Sequence, residues 1–292
     1  MTLETRSWCV GRYTIELPAT FEQQNLRAYV GLPMAFEVKG LGPGTREDLE
    51  QHVNARYATL QQGMEVGSKH YRAEGRAPLE DLLLIGRREY DPDLPSFDPG
   101  FIEVDAYFRR GEYMFHSTSN TLFETIEEVK EIGKGTGELS LKKLTNHIEP
   151  YDGRVIPQGT GLCMDRAFFN APVLLHDGFS ASFHDPSTAG LAFTIDLSHT
   201  AASPAEPDFA LLYGRSSGGR SVDGLRGDEA RAYEQPGGPI LYEFAGGEGR
   251  KTGQPSRSIR ARMVLRTDAE DLPPPQEAEM IWDHALNSLR TR

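Results

Sequence analysis

The sequence contains few cysteines, which zinc sites need, and no excess of positive charge, which nucleic-acid and membrane-surface binding need. Its two cysteines, Cys9 and Cys163, each lack a second cysteine nearby, which argues against a zinc site. The 31 lysines and arginines face 43 acidic residues, giving a net charge of -12. Such a field repels phosphate backbones and anionic headgroups. The charge therefore disfavours nucleic-acid and membrane-surface binding and favours a basic protein partner.

Long apolar runs are also missing. No window approaches the length of a membrane-spanning segment, so membrane insertion is not predicted. Residues 1–12 contain no apolar stretch of signal-peptide length. Because a leader is removed from a mature exported protein, the sequence leaves the compartment open.

The two cysteines stand in similar surroundings. Each precedes an arginine by three residues at the head of a strand-like run, with Arg12 following Cys9 and Arg166 following Cys163. One interpretation makes each cysteine a small buried residue in the first strand of its domain. The other is a Cys9–Cys163 disulfide between the two halves, which requires an oxidising compartment.

This repetition predicts two tandem, related α+β domains. Each is expected to be a mostly antiparallel sheet that packs with helices and closes on a helix. A chain of 292 residues favours two domains as a prior. Residues 149–160 hold two prolines and two glycines without periodicity. The predicted division is therefore an N-terminal domain over 1–149, a linker over 150–160 and a C-terminal domain over 161–292.

Capping residues predict where helices begin. Thr45 and Asp48 form a capping box ahead of a helically spaced apolar stripe, and Gly63 is placed to end that helix. Thr121 and Glu124 predict a second capping box. Three prolines at 273–275 introduce a final helix. Its predicted buried stripe is Ala278, Ile281, Trp282, Ala285 and Leu289.

Residues 101–117 alternate with the period of a β-hairpin. Alternation of this kind predicts one buried face and one wet face. The predicted buried face is Ile102, Val104, Ala106 and Phe108, and the predicted wet face is Glu103, Asp105, Tyr107 and Arg109.

Two segments are candidates for partner binding. Arg260, Arg262 and Arg266 share one face of a strand over 260–266. Their partners are either carboxylates of this chain or acidic groups on another protein, since arginine suits interface ion pairs. The loop that contains Phe97 and Asp98 either supplies anchor residues or only connects two strands.

Residues 214–218 match the G-x-S-x-G pattern of serine hydrolases. A nucleophile elbow needs a helix directly after the serine, and the glycine-rich stretch 219–227 is unsuited to one. Only His284 follows the serine. We interpret the motif as a surface loop and keep a hydrolase using Ser216 as an alternative.

The histidines indicate no metal site. His176, His184 and His199 match no metal signature, although Asp177 and Asp185 stand beside two of them. No pair of carboxylates is set in surroundings that would separate their pKa values. The sequence therefore predicts no catalytic residue, no metal and no cofactor.

Four stretches together resemble the immunity proteins paired with the fourth class of type VI secretion lipase effectors, the Tli family. Cys9 to Tyr13, ending in Leu17-Pro18, resembles the family's opening signature. Residues 156–163 resemble the start of its second domain. Residues 224–230 resemble its glycine-glutamate segment, and residues 281–290 its closing helix. The resemblance covers nearly the whole chain, in the right order.

The resemblance implies two α+β domains that grasp a secreted phospholipase and block access of its substrate. It implies that this chain has no catalytic activity. It also implies a periplasmic location, although no leader is visible in the sequence. The family's contact residues sit in variable loops, so none is carried over by position. Beside this interpretation we keep two alternatives, the hydrolase using Ser216 and an adaptor module of a secretion apparatus.

Overall fold

The structure is a computed structural model that describes most of the chain. The described residues are 3–31, 36–79, 81–93, 102–123, 125, 127–129, 141–171, 176–188, 193–200, 216–233, 240–247, 258–266 and 272–292.

The structure gives bounds for three helices and nineteen strands, and residues 127–129 are also helical. The helices are α1 (Arg46–Gln62), α2 (Leu141–Asn146) and α3 (Pro275–Ser288). The strands up to the middle of the chain are β1 (Thr5–Val10), β2 (Tyr13–Pro18), β3 (Glu22–Gly31), β4 (Phe36–Pro43), β5 (Met64–Val66), β6 (Lys69–Pro78), β7 (Leu82–Tyr90), β8 (Ile102–Arg110), β9 (Tyr113–Phe123) and β10 (Ile148–Pro150). The others are β11 (Leu162–Met164), β12 (Ala167–Phe169), β13 (His176–His184), β14 (Phe193–Thr200), β15 (Ser216–Val222), β16 (Leu225–Tyr233), β17 (Ile240–Gly247), β18 (Ser258–Leu265) and β19 (Arg290–Thr291).

The fold is α+β and is dominated by antiparallel sheet, as predicted. None of the helices in the described part of the chain has the length and apolar character needed to cross a membrane.

The chain divides into two compact units that are not consecutive in sequence. Unit 1 contains the residues up to 28, residues 153–164 and the residues from 172 onward. Unit 2 contains residues 29–152 and 165–171. The predicted linker at 150–160 thus contains one of the points where the chain passes from unit 2 to unit 1, between Asp152 and Gly153. The predicted range 1–149 differs from the units because the first strands pack with the C-terminal part of the chain.

Unit 1 is built on antiparallel strands in the order β15-β16-β17-β18-β14-β13, followed by the first part of β3. A second small sheet has the order β1-β2-β19 and so joins the two ends of the described chain. The predicted final helix is confirmed as α3, and Pro275 begins it. Its fully buried Trp282 lies against Tyr242 of β17, with ring centroids 5.9 Å apart.

The first hairpin of unit 1 depends on a glycine. Gly11 lies between β1 and β2 with a φ of 55°, which glycine adopts at little cost. A Cβ atom built on Gly11 would lie 2.2 Å from Cδ1 of Phe179, far closer than van der Waals contact allows. The glycine therefore serves both the turn and the close approach of β13.

Unit 2 carries the predicted first helix. Its N-terminus has the predicted capping box, since the Asp48 amide donates to Thr45 Oγ1 at 3.2 Å and the Thr45 amide donates to Asp48 Oδ2 at 2.7 Å. Gly63 caps the other end with a φ of 90°. The helix buries Leu49 and other apolar side chains on the strands β6, β7 and β8.

The hairpin of β8 and β9 is present, but its predicted wet face is partly wrong. Asp105 is 0% exposed and Tyr107 1%. Tyr107 belongs to the core beneath α1, so the helix covers the polar face of the strand. Glu103 and Arg109 are only partly buried, as their positions nearer the strand ends allow.

The second predicted capping box is wrong. Thr121 lies within β9, which continues to Phe123. The side chain of Thr125 instead accepts a hydrogen bond from the Glu128 amide at 3.2 Å, and residues 127–129 are helical. Strand β9 thus pairs with β8 as far as Phe123, beyond the predicted cap.

We expect Gly227→Ala to destabilise unit 1. Gly227 of β16 pairs with Gly246 of β17, and a Cβ at position 227 would lie 2.2 Å from the carbonyl oxygen of Ala245. Since this obstacle is backbone, the strands must separate, at a cost of about 1–3 kcal/mol. Gly219→Ala in β15 is the control, because its Cβ meets nothing nearer than 3.8 Å. Urea unfolding measures both, and equal stabilities would contradict the packing of β16 on β17.

Candidate partner-binding surface

Strand β18 presents its arginines on one face, as its alternation predicts. Ile259, Ala261, Met263 and Leu265 are buried, whereas Arg260 and Arg262 are exposed. Arg266 follows the strand and is also exposed. In the sheet register, Ala261 lies across from Phe244 and Met263 across from Tyr242, which contacts α3. The arginines therefore lie on the sheet face opposite α3.

The three arginines differ in their partners. Arg260 Nε lies 3.1 Å from Glu243 Oε1, so it pairs with a carboxylate of its own chain. Arg262 is in register with Asp196 on one side and Glu243 on the other. Among the described residues, however, no ion pair involves Arg262 or Arg266. These two exposed guanidinium groups are available to another molecule. Arg226 of β16 is a third candidate, because it is exposed, lies on the same face in the sheet register and has no ion pair among the described residues.

The other predicted contacts, Phe97 and Asp98, lie outside the described residues. Their role as partner anchors stays a prediction.

The structure pairs Cys9 with Cys163 in a disulfide, and both residues are buried. Of the two possibilities left open by the sequence, the disulfide is the one present, and it lies within unit 1 rather than between two domains. Beside the disulfide, Gly11 and Cys163 exchange two backbone hydrogen bonds of 3.1 and 2.8 Å. The Arg292 guanidinium lies 3.1 Å from the sulfur of Cys9. A crosslink over 154 residues restricts the unfolded chain and stabilises the folded one by up to about 5 kcal/mol.

The G-x-S-x-G pattern is not a nucleophile elbow. Ser216, Ser217 and Gly218 begin strand β15, which runs to Val222 and turns directly into β16. A strand therefore stands where an elbow needs a tight turn and a helix. His284, the one histidine after the serine, contacts Glu16, with Nε2 and Oε2 3.1 Å apart. The alternative of a hydrolase using Ser216 is not favoured.

No group of three or more metal-binding side chains occurs within the described ranges. His176 and His184 lie on β13 and His199 on β14. Of the two neighbouring carboxylates, Asp177 pairs with Arg12. Asp185 accepts hydrogen bonds from the amide and hydroxyl of Ser187.

Sequence reasoning missed a partly buried ionic network around the C-terminal helix. Trp282 Nε1 donates to Glu229 Oε1 at 2.6 Å. Arg220 Nη1 lies 3.2 Å from the same Glu229 oxygen and 2.9 Å from Asp283 Oδ1. Arg220 also donates to Asn287 at 2.9 Å. The network fastens α3 to the hairpin of β15 and β16.

The motifs that carry the family resemblance meet in pairs at these contacts. Residues 9–13 contact residues 161–163 through the disulfide and the backbone of Gly11. The segment 224–230 contributes Glu229, and the closing helix contributes Trp282 and Asp283. All these contacts are internal to unit 1. These motifs therefore stabilise the fold of unit 1.

A second network that the sequence did not reveal lies beneath α1 in unit 2. Asp105 Oδ1 is 3.2 Å from His116 Nε2 and 3.7 Å from Arg87 Nε, and Oδ2 is 3.8 Å from Arg56. Burial disfavours the charged carboxylate, but the His116 imidazole and the two guanidinium charges outweigh it and lower the pKa of Asp105. The alternation along β8 could not show that Asp105 is buried, because the residue is covered by a helix that is distant in sequence.

His52 on α1 shares this environment. Burial, together with the charges of His116 and Arg56, lowers the pKa of His52. Burial raises the pKa of Tyr107 well above its ordinary value. Both shifts favour the neutral side chain, and the two rings lie next to each other with centroids 5.8 Å apart.

No protein-family model matches the sequence, and no curated protein matches it. Solved structures do match in fold over nearly the whole chain. A chain of the crystal structure of a Tle4–Tli4 complex has 15% identity and a TM-score of 0.68, over 99% of this chain and 98% of that chain.

Two structures of the immunity protein TplEi of the type VI secretion system from Pseudomonas aeruginosa match as well. The apo structure has 14% identity and a TM-score of 0.67, over 99% of this chain and 97% of that chain. The structure with "L" peptide has 14% identity and a TM-score of 0.65, over 99% and 98%. At these identities, what the matches establish is a shared fold.

We expect Trp282→Phe to destabilise the protein by about 2 kcal/mol more than Trp8→Phe. The first change removes the hydrogen bond that Glu229 accepts in a buried site, and bonds to charged groups contribute about 1.5–3 kcal/mol. The second loses no such bond, because Trp8 Nε1 is buried without a partner among the described residues. Urea unfolding of the two variants measures the difference. Equal losses would mean that the network does not fasten α3.

We expect Asp105→Asn to reduce stability by about 3 kcal/mol at pH 7, because Arg87 and Arg56 lose a buried counter-ion. Since the folded pKa is lowered, the stability due to Asp105 is full above the unfolded pKa of about 3.9. It is lost as pH falls through the lower folded pKa. Urea unfolding at a series of pH values from 2.5 to 6 measures this. The free energy of unfolding should change less with pH for the variant than for the unmodified chain.

The control is Glu89→Gln, which removes the partner of Lys69 from an exposed ion pair. Such pairs contribute about 0–1 kcal/mol. If Asp105→Asn lowers the free energy of unfolding by no more than Glu89→Gln does, the buried network does not stabilise the fold.

Proposed function

We propose that this chain is an immunity protein that binds and occludes a phospholipase effector of the type VI secretion system. The observation that carries the proposal is the full-length fold match to TplEi and to a chain of the Tle4–Tli4 complex. The match agrees with the resemblance found independently in residues 9–18, 156–163, 224–230 and 281–290. The producing cell and its kin would be protected from the toxin.

The absence of catalysis is part of the proposal. The one motif with catalytic form, around Ser216, starts a strand and lacks the helix that a nucleophile elbow needs. A protein that acts by occlusion needs surface and affinity only. TplEi has been solved with a peptide, so a protein of this fold does hold a polypeptide segment.

The two-domain organisation and the periplasmic location also belong to the proposal. The division of contacts into two compact units supports two domains, although their ranges interleave. The Cys9–Cys163 disulfide supports an oxidising compartment, because cytosolic thiols are kept reduced. A phospholipase that attacks membranes from the periplasm would meet its inhibitor there.

Within this proposal, Arg262 and Arg266 are contacts for acidic groups of the toxin. Both are exposed, and neither has an ion-pair partner among the described residues. Arginine is enriched in interfaces, where its planar group binds carboxylates with two hydrogen bonds. Arg260 is a weaker candidate than the sequence suggested because Glu243 already binds it.

The test starts from the producing strain, with the chain as bait and a phospholipase assay on the retained protein. We expect a lipase whose activity falls to near zero at about one equivalent of the chain. We expect the double variant Arg262→Glu/Arg266→Glu to bind it about tenfold more weakly at low salt, since reversed charges repel the carboxylates that arginine attracts. The difference should shrink as salt is added.

Arg290→Glu is the control for a charge reversal, because Arg290 is exposed in the same unit and its guanidinium donates, among the described residues, to the neighbouring Leu289 carbonyl. If the double variant and the control bind the lipase equally well, the proposed role of Arg262 and Arg266 in the interface is wrong. Retention of a lipase that stays fully active would favour the adaptor alternative. If a fluorophosphonate labels the chain and the change Ser216→Ala abolishes the labelling, the hypothesis of a serine hydrolase is supported instead.

A further inference from the structure

Unit 1 contains a cleft of about 480 Å³ at the start of α3. One side is formed by the turn after β2, from Pro18 to Phe21. The other is formed by the prolines before α3 and by its first two turns, including Met280 and Ile281. Its volume falls within the range of pockets that hold a small ligand or a few side chains.

The floor of the cleft is apolar and well ordered by packing. Phe21 and Phe193 meet edge to face, with ring centroids 5.0 Å apart, and each is 1% exposed. Ile281 is 4% exposed. Above them, Met280 and Leu272 are only partly buried. A side chain entering the cleft would cover this remaining apolar surface, which favours an aliphatic or aromatic occupant.

The rim of the cleft is acidic. Glu4, Asp185 and Glu277 line it, and the described lining residues include no lysine or arginine. Asp185 is occupied by its turn, since Oδ1 accepts hydrogen bonds from the Ser187 amide at 2.9 Å and hydroxyl at 2.7 Å. Glu4 is exposed, and neither it nor Glu277 has an ion-pair partner in the part of the chain that the structure describes. The rim thus carries negative charge that the described chain leaves uncompensated.

We infer that this cleft docks a segment of the protein partner in which an apolar side chain stands next to a lysine or arginine. The apolar floor requires the first residue and the acidic rim selects the second. The inference rests on the proposed function for the identity of the partner, the phospholipase. A fatty acid fits the floor, but its carboxylate would meet three carboxylates at the rim. A second copy of this chain brings a net charge of -12 and fits the rim poorly.

The experiment uses the full chain with its methionine methyl groups labelled with ¹³C, so that Met280 reports on the cleft. Its signal is assigned with Met280→Leu. The probe is the acetylated, amidated peptide Lys-Leu-Leu-Lys, compared with Glu-Leu-Leu-Glu and Lys-Ser-Ser-Lys. We expect the first peptide to shift the Met280 signal saturably, and the other two to bind at least tenfold more weakly. The Met114 signal, in unit 2, should not move.

Charge reversal tests the rim. We expect Glu4→Lys/Glu277→Lys to weaken binding of Lys-Leu-Leu-Lys at least tenfold. Glu47→Lys/Glu65→Lys, which makes the same change at exposed sites in unit 2, should bind as the unmodified chain does. Thermal unfolding checks that each variant is folded. Equal peptide binding by both double variants would overturn the inference, and so would tighter binding of sodium oleate than of the peptide.

The purified phospholipase then separates this inference from the proposed function. If Glu4→Lys/Glu277→Lys inhibits the lipase less well than the control variant, the cleft is a toxin contact. If both variants inhibit equally, the cleft inference fails while the immunity function stands. If peptide binding behaves as expected but the unmodified chain never inhibits the lipase, the cleft is supported as a docking site and the immunity function fails.

Discussion

The crosslink between Cys9 and Cys163 is the constraint on which unit 1 depends. It holds the first hairpin against a segment 154 residues further along the chain. The backbone hydrogen bonds of Gly11 extend the same contact, and Arg292 lies against the Cys9 sulfur. Strand β2 pairs on one side with β1 and on the other with β19. Both ends of the described chain are thereby held in one unit.

The helix α3 is the second support of this unit, and it relies on a partly buried ionic network rather than on apolar packing alone. Glu229 is 9% exposed and accepts from Trp282 while it faces Arg220. A buried charge is costly unless it is paired and hydrogen-bonded, and here both conditions are met. The same helix then presents Met280 and Glu277 to the cleft. A rigidly held helix is a suitable element for a binding surface, because little order has to be gained on binding.

The fold is shared with solved structures although only 14–15% of the residues are identical. In this chain, the stretches at residues 9–13, 163, 224–230 and 281–290 supply contacts that hold unit 1 together. Residues that point away from the core are under no such internal constraint. On β18, for instance, Ala261 and Met263 are buried in the sheet core, while Arg262 points away from it and contacts no described carboxylate. Core packing and surface charge are thus carried by different residues of the same strand.

The sequence by itself determined the features that arise from neighbouring residues. The capping box of Thr45 and Asp48, the helix after the prolines and the alternation of β18 all depend on side chains within a few positions. Only the tertiary structure decided which strands belong to which unit and that Asp105 is buried, since both follow from elements distant in sequence that cover one another. It also decided that Ser216 begins a strand and that the cleft beside α3 has an acidic rim. A cleft formed by segments near residues 4, 20, 185 and 277 has no local signal in the chain.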